Sequence, residues 1–248
     1  MNELVSIIMP SYNSEKHISE SINSVLHQTY TNWELLITDD CSVDSTLQIV
    51  EEFQNKDSRI KLYTLKINSG AAAARNNSIA KSKGRFIAFL DSDDLWLNNK
   101  LELQIEFMTK GDFALTYTSY EKFKNKNEFI SIIHALDMLS YNDMLKNNYI
   151  GCLTAIYDSK LLGKLYMPNI RRRQDYALWL KILKKTHYAY GLDLVLSKYR
   201  VLDSSLSQGT LTNLKYTFQL YRDVEKFSFI KAVFSTIRYL TFYLKKNK

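Results

Sequence analysis

The feature that most limits what this chain can fold into is a change of hydrophobic period that repeats along its N-terminal third. Val5-Ser6-Ile7-Ile8-Met9 is a short apolar run suited to a strand, and Ile18, Ile22, Val25 and Leu26 then share one face of a helix. Trp33 to Thr38 reads as a second strand, with Leu47, Ile49, Val50 and Phe53 marking the next helix. Ile60 to Leu65, Ala71 to Ala80 and Phe86 to Leu90 supply a strand, a helix and a fourth strand. An alternating β-α-β-α-β-α-β order implies right-handed crossovers and a mainly parallel, Rossmann-like α/β sheet covered by helices on both faces. Ligands of such sheets bind beyond the carboxyl ends of the strands.

That rule gathers three otherwise separate endings onto one edge. The first strand ends at Pro10-Ser11-Tyr12-Asn13, the second at Asp39-Asp40 and the fourth at Asp91-Ser92-Asp93-Asp94. An aromatic ring offers a face to a base or sugar, and carboxylates accept from hydroxyls and ring N–H groups or bind a hard cation. Neither a G-x-G-x-x-G after the first strand nor a G-x-x-x-x-G-K-[ST] is present, which argues against a dinucleotide fold or a P-loop enzyme. Clustered carboxylates beside an apolar strand repel one another unless a cation or hydrogen-bond donors compensate. Mg²⁺ or Mn²⁺ does so when held by one or two carboxylates together with substrate phosphates. Taken alone, Asp-x-Asp would be a solvated turn leading into the helix that begins near Asn98; three converging strand ends favour a site.

Composition decides location and partners. The chain has 248 residues, 46% of them hydrophobic, enough for a substantial core. Its N-terminus lacks the basic region of a secretory signal and no eighteen-residue apolar run occurs, so a cytoplasmic protein is expected. Cys41 and Cys152 show no metal-ligand spacing and read as reduced thiols. From Lys215 onward eight Lys or Arg face Asp223 and Glu225, which accounts for +6 of the net +7. The body is nearly neutral, so no basic groove for nucleic acid is expected, and the charge sits on a tail suited to an acidic surface.

The ordered pieces SIIMPSYN (6–13), SVLHQTYTNWELLITDDCSVDST (24–46), NSGAAAARNNSIAKSKG (68–84), FIAFLDSDD (86–94) and RRQDYALWLKIL (172–183) resemble the inverting nucleotide-sugar glycosyltransferases of family 2, with the A-type fold. The resemblance is continuous from about Val5 to Leu97 and looser from Arg171 to Gln208. It implies a transferase moving a sugar from a nucleoside diphosphate, UDP by expectation, onto a hydroxyl of a glycan or lipid-linked acceptor in capsule, exopolysaccharide or O-antigen synthesis. By that resemblance Pro10 and Tyr12 line the nucleotide pocket, Asp40 accepts a uracil N–H, Arg75 approaches the nucleotide and Asp91 contacts the ribose or the metal. Asp93 is the main ligand of Mn²⁺ or Mg²⁺, with Asp91 and Asp94 as further candidates.

Inverting transfer needs a carboxylate on the acceptor side to take the hydroxyl proton. Asp175 matches that position, four residues before Trp179, although Gln174 stands where many relatives carry a second acid. Arg171, Arg172 and Arg173 are expected to depress its pKa. Tyr199-Arg200-Val201 and Ser204-Ser205-Leu206-Ser207 resemble a loop that closes over the diphosphate. Arg200 either supplies charge there or is a strand-end cation.

The expected organisation is a transferase domain over 1–209, with a nucleotide-sugar half over 1–97 and an acceptor half over 98–209, then a helical extension over 210–248. Within the acceptor half, Phe113 to Tyr120 and Glu128 to Ile133 read as strands joined by a polar turn. In the extension Lys231, Arg238 and Lys245 share one helical stripe, opposite Ile230, Val233, Phe234, Ile237, Leu240 and Leu244. That side either packs on the body or on a second subunit, or rests on the inner membrane. The alternatives for the whole chain are a sugar nucleotidyltransferase, whose glycine-rich loop is missing, and a non-catalytic membrane-associated module.

Overall fold

The computed structural model describes residues 3–124, 128–202 and 210–246. β1 (Val5–Ser11), α1 (Ile18–Leu26), β2 (Trp33–Asp39), α2 (Thr46–Lys56), β3 (Ile60–Thr64), α3 (Ala71–Lys81) and β4 (Phe86–Phe89) follow the alternation the sequence imposes. Their order in the sheet is β3-β2-β1-β4, all parallel. Side-chain alternation divides the core between the two faces. Val5, Ile7 and Met9 of β1 pack with Ile18, Ile22, Val25 and Val50 of α1 and α2, while Ile8 between them faces Ala72 and Ile79 of α3.

Beyond β4 the parallel pattern stops. The chain continues through β5 (Leu95–Trp96), α4 (Lys100–Lys110), β6 (Leu115–Phe123), β7 (Phe129–Ile133), β8 (Met138–Ser140), α5 (Tyr141–Met144), β9 (Ile156–Asp158) and α6 (Ser159–Leu162). It ends in α7 (Gln174–Thr186), β10 (Tyr188–Arg200), α8 (Thr210–Gln219) and α9 (Phe229–Lys246). β9 inserts antiparallel between β4 and β6, and β10 lies parallel to β6, so a parallel half continues into a mixed sheet. α7 docks on this sheet by Trp179, fully buried and edge-on to Phe89 of β4 at 5.5 Å. The C-terminal helices join the same core through Leu220, Tyr221, Ala232 and Tyr239, and Lys184 of α7 pairs with Glu225 at 2.7 Å.

Lys100, at the first position of α4, is fully buried, with its Nζ on Gln104 Oε1 at 2.5 Å and over the Trp96 ring at 4.7 Å. Burial pulls its pKa from 10.5 down to about 7. The folded pKa is therefore below the unfolded one, so between about pH 7 and 10.5 the unfolded chain holds a proton that the folded chain lacks. Stability should rise with pH through that window by up to about 1.4 kcal/mol per unit. In urea unfolding, Lys100→Met is expected to raise stability at neutral pH and to flatten this slope; an unchanged slope would show that another group sets it.

Candidate functional site at the carboxyl edge of the parallel strands

The site opens because β4 is shorter than its neighbours. Pairing between β1 and β4 ends at Ile8↔Phe89, whereas β1 continues beside β2 to Ser11↔Asp39. The Leu90 N–H donates to the Ile8 carbonyl at 3.1 Å, so residue 8, and by the two-residue period residue 10, turns its main-chain groups toward β4. Pro10 thus lacks an N–H only where the ladder has already ended, and its ring costs no hydrogen bond. Tyr12 follows at the lip of the cleft, half exposed.

The carboxylates on this edge are used in different ways. Buried Asp39 accepts from Ser11 Oγ at 3.0 Å and from the Ser42 N–H at 2.8 Å, fixing the turn after β2. Asp40 accepts from the Ser69 and Gly70 N–H groups, both at 2.7 Å, and holds the loop that enters α3. Gly70 has φ of 89°, a left-handed conformation that a side chain would resist. Each Asp40 oxygen keeps a lone pair for a further donor.

Asp91 is bonded to Arg75 of α3 at 2.5 Å. Arg75 is buried, so the alternative of a surface arginine does not hold. Its positive charge lies within electrostatic reach of Asp91, Cys152 and Asp175 together. Asp175 arrives there because Trp179 fixes the depth of α7 against β4, and the residue four positions earlier sits one turn upstream on the same face. Burial raises the Asp175 pKa, opposed by Arg75, by the Tyr176 N–H and by Arg173. The arginine run was expected to depress it; desolvation outweighs the neighbouring charge.

Two of the expected residues are engaged within the protein itself. Asp94, expected among the metal ligands, is almost wholly buried and accepts the Arg200 N–H at 2.9 Å, so its carboxylate serves to tie β10 to the acidic turn. Arg200, expected either at the diphosphate or as a strand-end cation, ends β10. Its Nε donates to the Asp93 carbonyl at 2.8 Å, its Nη2 to Glu20 of α1 at 2.8 Å, and its guanidinium lies over the Phe123 ring at 4.6 Å. Ser204–Ser207 of the expected closing loop lie outside the described residues.

Asp93 remains. No neighbouring side chain bonds its carboxylate among the described hydrogen bonds, and burial followed by repulsion from Asp91 raises its pKa to about 6. A carboxylate so placed is a fit for a hard cation, which would supply the compensation the protein does not. Among the described residues no three His, Cys, Asp or Glu groups converge to hold an ion by themselves. Sequence reasoning passed over Glu20 and read Cys152 only as a reduced thiol. Glu20 meets Arg200 across 180 positions, and Cys152 reaches the Arg75 cluster only through the turn Cys152–Thr154; neither carries a local signal.

Comparison with known proteins places this geometry. Residues 6–171 match the glycosyl transferase family 2 model. TuaG of Bacillus subtilis (strain 168), whose name provisionally makes it a glycosyltransferase of teichuronic acid biosynthesis, is 43% identical over 98% of this chain and 97% of its own. The Escherichia coli UDP-Glc:alpha-D-GlcNAc-diphosphoundecaprenol beta-1,3-glucosyltransferase WfgD is 46% identical over 97% of this chain and 92% of its own. Staphylococcus aureus TarS 1-349, solved with UDP-GlcNAc, superposes with a TM-score of 0.74 at 21% identity, covering 98% of this chain and 73% of that one. At that identity the likeness is one of fold.

Proposed function

The chain belongs to glycosyl transferase family 2, and within that family we propose that it transfers a sugar from a UDP-sugar, with inversion and with a divalent metal, to a hydroxyl of a lipid-linked glycan. It is a glycosyltransferase, which sets aside the nucleotidyltransferase and the non-catalytic module. UDP-glucose onto a diphosphate-lipid-linked sugar is the first pair to test, because WfgD, at 46% identity, is named for that chemistry.

The reading is carried by one observation. Of the carboxylates on the edge, Asp39 and Asp40 brace main chain and Asp91 is paired with Arg75; burial raises the pKa values of Asp93, Asp94 and Asp175, and of these Asp94 is tied to the Arg200 N–H while Asp93 and Asp175 have no partner side chain. One serves the donor and the other the acceptor. Pro10 and Tyr12 would pack against the base, the spare lone pairs of Asp40 would accept its ring N–H, and Asp91 would meet the ribose with Arg75 beside the phosphates. Asp93, with Asp91, would hold Mn²⁺ or Mg²⁺, which supplies charge neutralisation for the departing diphosphate.

Asp175 would accept the proton of the acceptor hydroxyl as that oxygen bonds to the anomeric carbon. The carbon–oxygen bond to the diphosphate breaks with its electron pair leaving on UDP. Attack opposite the leaving group inverts the centre. Arg75 would keep Asp175 ionised while burial keeps it basic enough to act near neutrality.

Thermal unfolding against UDP, GDP, CDP and dTDP, each with and without Mn²⁺, tests the donor half. A nucleotide at a hundred times its dissociation constant should add about 2.7 kcal/mol. The expected pattern is a shift with UDP plus metal that Asp93→Ala removes. Equal shifts with every nucleotide, or none, would sink the UDP assignment.

A further inference from the structure

α9 carries two apolar stripes, and only one of them is used by the fold. Ala232 and Tyr239, seven residues apart, are buried against the body with Thr236 half-buried between them. Tyr239 lies 6.4 Å from Tyr176, and Arg173 is over the Tyr239 ring at 5.4 Å. Of the side the sequence marks as apolar, Val233 and Leu240 are half-buried, and a second stripe faces solvent: Ile230 is 68% exposed, Phe234 70%, Ile237 54% and Leu244 51%. Packing on the chain's own body, one of the fates the sequence left open for this side, leaves these four side chains uncovered. Phe234 has Lys231 three residues before it and Arg238 four after, both exposed, so the cations border this stripe rather than lying opposite it as the sequence pattern suggested; buried Ala232 and Tyr239 are what lies opposite.

We propose that this face of α9 lies on an anionic lipid bilayer, with Ile230, Phe234, Ile237 and Leu244 in the interface and Lys231 and Arg238 at the headgroups. Charge complementarity selects the occupant. The segment from Lys215 holds +6 of the chain's +7, which a second copy of the same surface would meet with like charge, whereas an acidic headgroup layer neutralises it. Among the described residues no helix is long and apolar enough to cross a membrane, so the contact is peripheral. Orientation gives it a use. The inward side of α9 packs on the first turn of α7, where Asp175 sits, so the lipid face and the acceptor-side carboxylate belong to adjoining helices. A bilayer held there would present a lipid-linked hydroxyl to the cleft. That use rests on the proposed acceptor; the surface itself does not.

The test is flotation of the full-length protein with phosphatidylcholine vesicles, with and without phosphatidylglycerol, at low and high salt. Binding is expected only to the anionic vesicles and to fall with salt. The combined variant Ile230→Ser/Phe234→Ser/Ile237→Ser should keep its unfolding temperature, because these side chains are outward, and lose at least about tenfold in partition. Lys231→Glu/Arg238→Glu should lose a similar factor and the salt dependence. Flotation reads no catalysis, so its outcome is separate from that of the transferase assignment. Equal partition of the serine variant and the parent, or no binding to either vesicle, would overturn the proposal. So would a dimer in light scattering that the serine variant converts to monomer without any change in partition.

Discussion

Asp175→Asn is expected to reduce kcat by about 10²–10⁴-fold while leaving the UDP-induced thermal shift intact, since on the proposed mechanism it removes proton acceptance and leaves the donor pocket in place. The pH profile carries a second signature. Burial raises the Asp175 pKa, so the acid limb of kcat/KM should lie above the ordinary carboxylate range. Arg75 opposes that rise, and Arg75→Gln should move the limb higher still. The same shift has a cost in stability. A carboxyl whose folded pKa exceeds its unfolded value favours folding when protonated, so ionisation at neutral pH destabilises, and Asp175→Asn should therefore unfold at a higher temperature than the parent. An acid limb that persists unchanged in Asp175→Asn would identify a different base.

Asp93→Asn is expected to lower transfer by at least about a thousandfold and to abolish the metal-dependent part of UDP binding. Here too inactivity should accompany stabilisation. A pKa raised from 3.8 to about 6 corresponds to as much as about 3 kcal/mol of destabilisation at neutral pH in the metal-free protein. That penalty sets in as pH rises through 3.8 toward 6, and Asn at this position removes it. Added Mn²⁺ should stabilise the parent and not the variant. A variant that still shows a UDP shift enhanced by Mn²⁺ would place the cation on other ligands. The two carboxylates can be told apart by titrating metal at several pH values, because under the proposed assignment protons compete with metal at Asp93 and not at Asp175.

Arg200 shows why the acidic turn is built as it is. Its guanidinium and main chain bind Asp93, Asp94 and Glu20, so three elements distant in sequence fix the turn before any substrate arrives. Asp93 is left with its carboxylate uncommitted because its carbonyl, rather than its side chain, takes the arginine. The site is therefore rigid in its frame and unpaired at one group, an arrangement suited to a cation that comes with the substrate.

The sequence by itself determined the N-terminal half. Apolar period gave β1 to β4 and the helices between them, and the rule that ligands sit at carboxyl ends gathered Tyr12, Asp40, Asp91 and Asp93 onto one edge. Those signals are local, carried by residues two to four positions apart. Tertiary structure alone decided the rest. The antiparallel insertion of three-residue β9, the pairing of Arg200 with Glu20 and the burial of Asp94 all join residues far apart in the chain, where no periodicity links them. The direction of the Asp175 shift belongs to the same class: three nearby arginines are visible in the sequence, but desolvation is set by how deeply Trp179 seats α7. So does the fate of α9, whose amphipathic pattern is legible as letters while the choice of which stripe meets the body is made by Tyr239 against Tyr176.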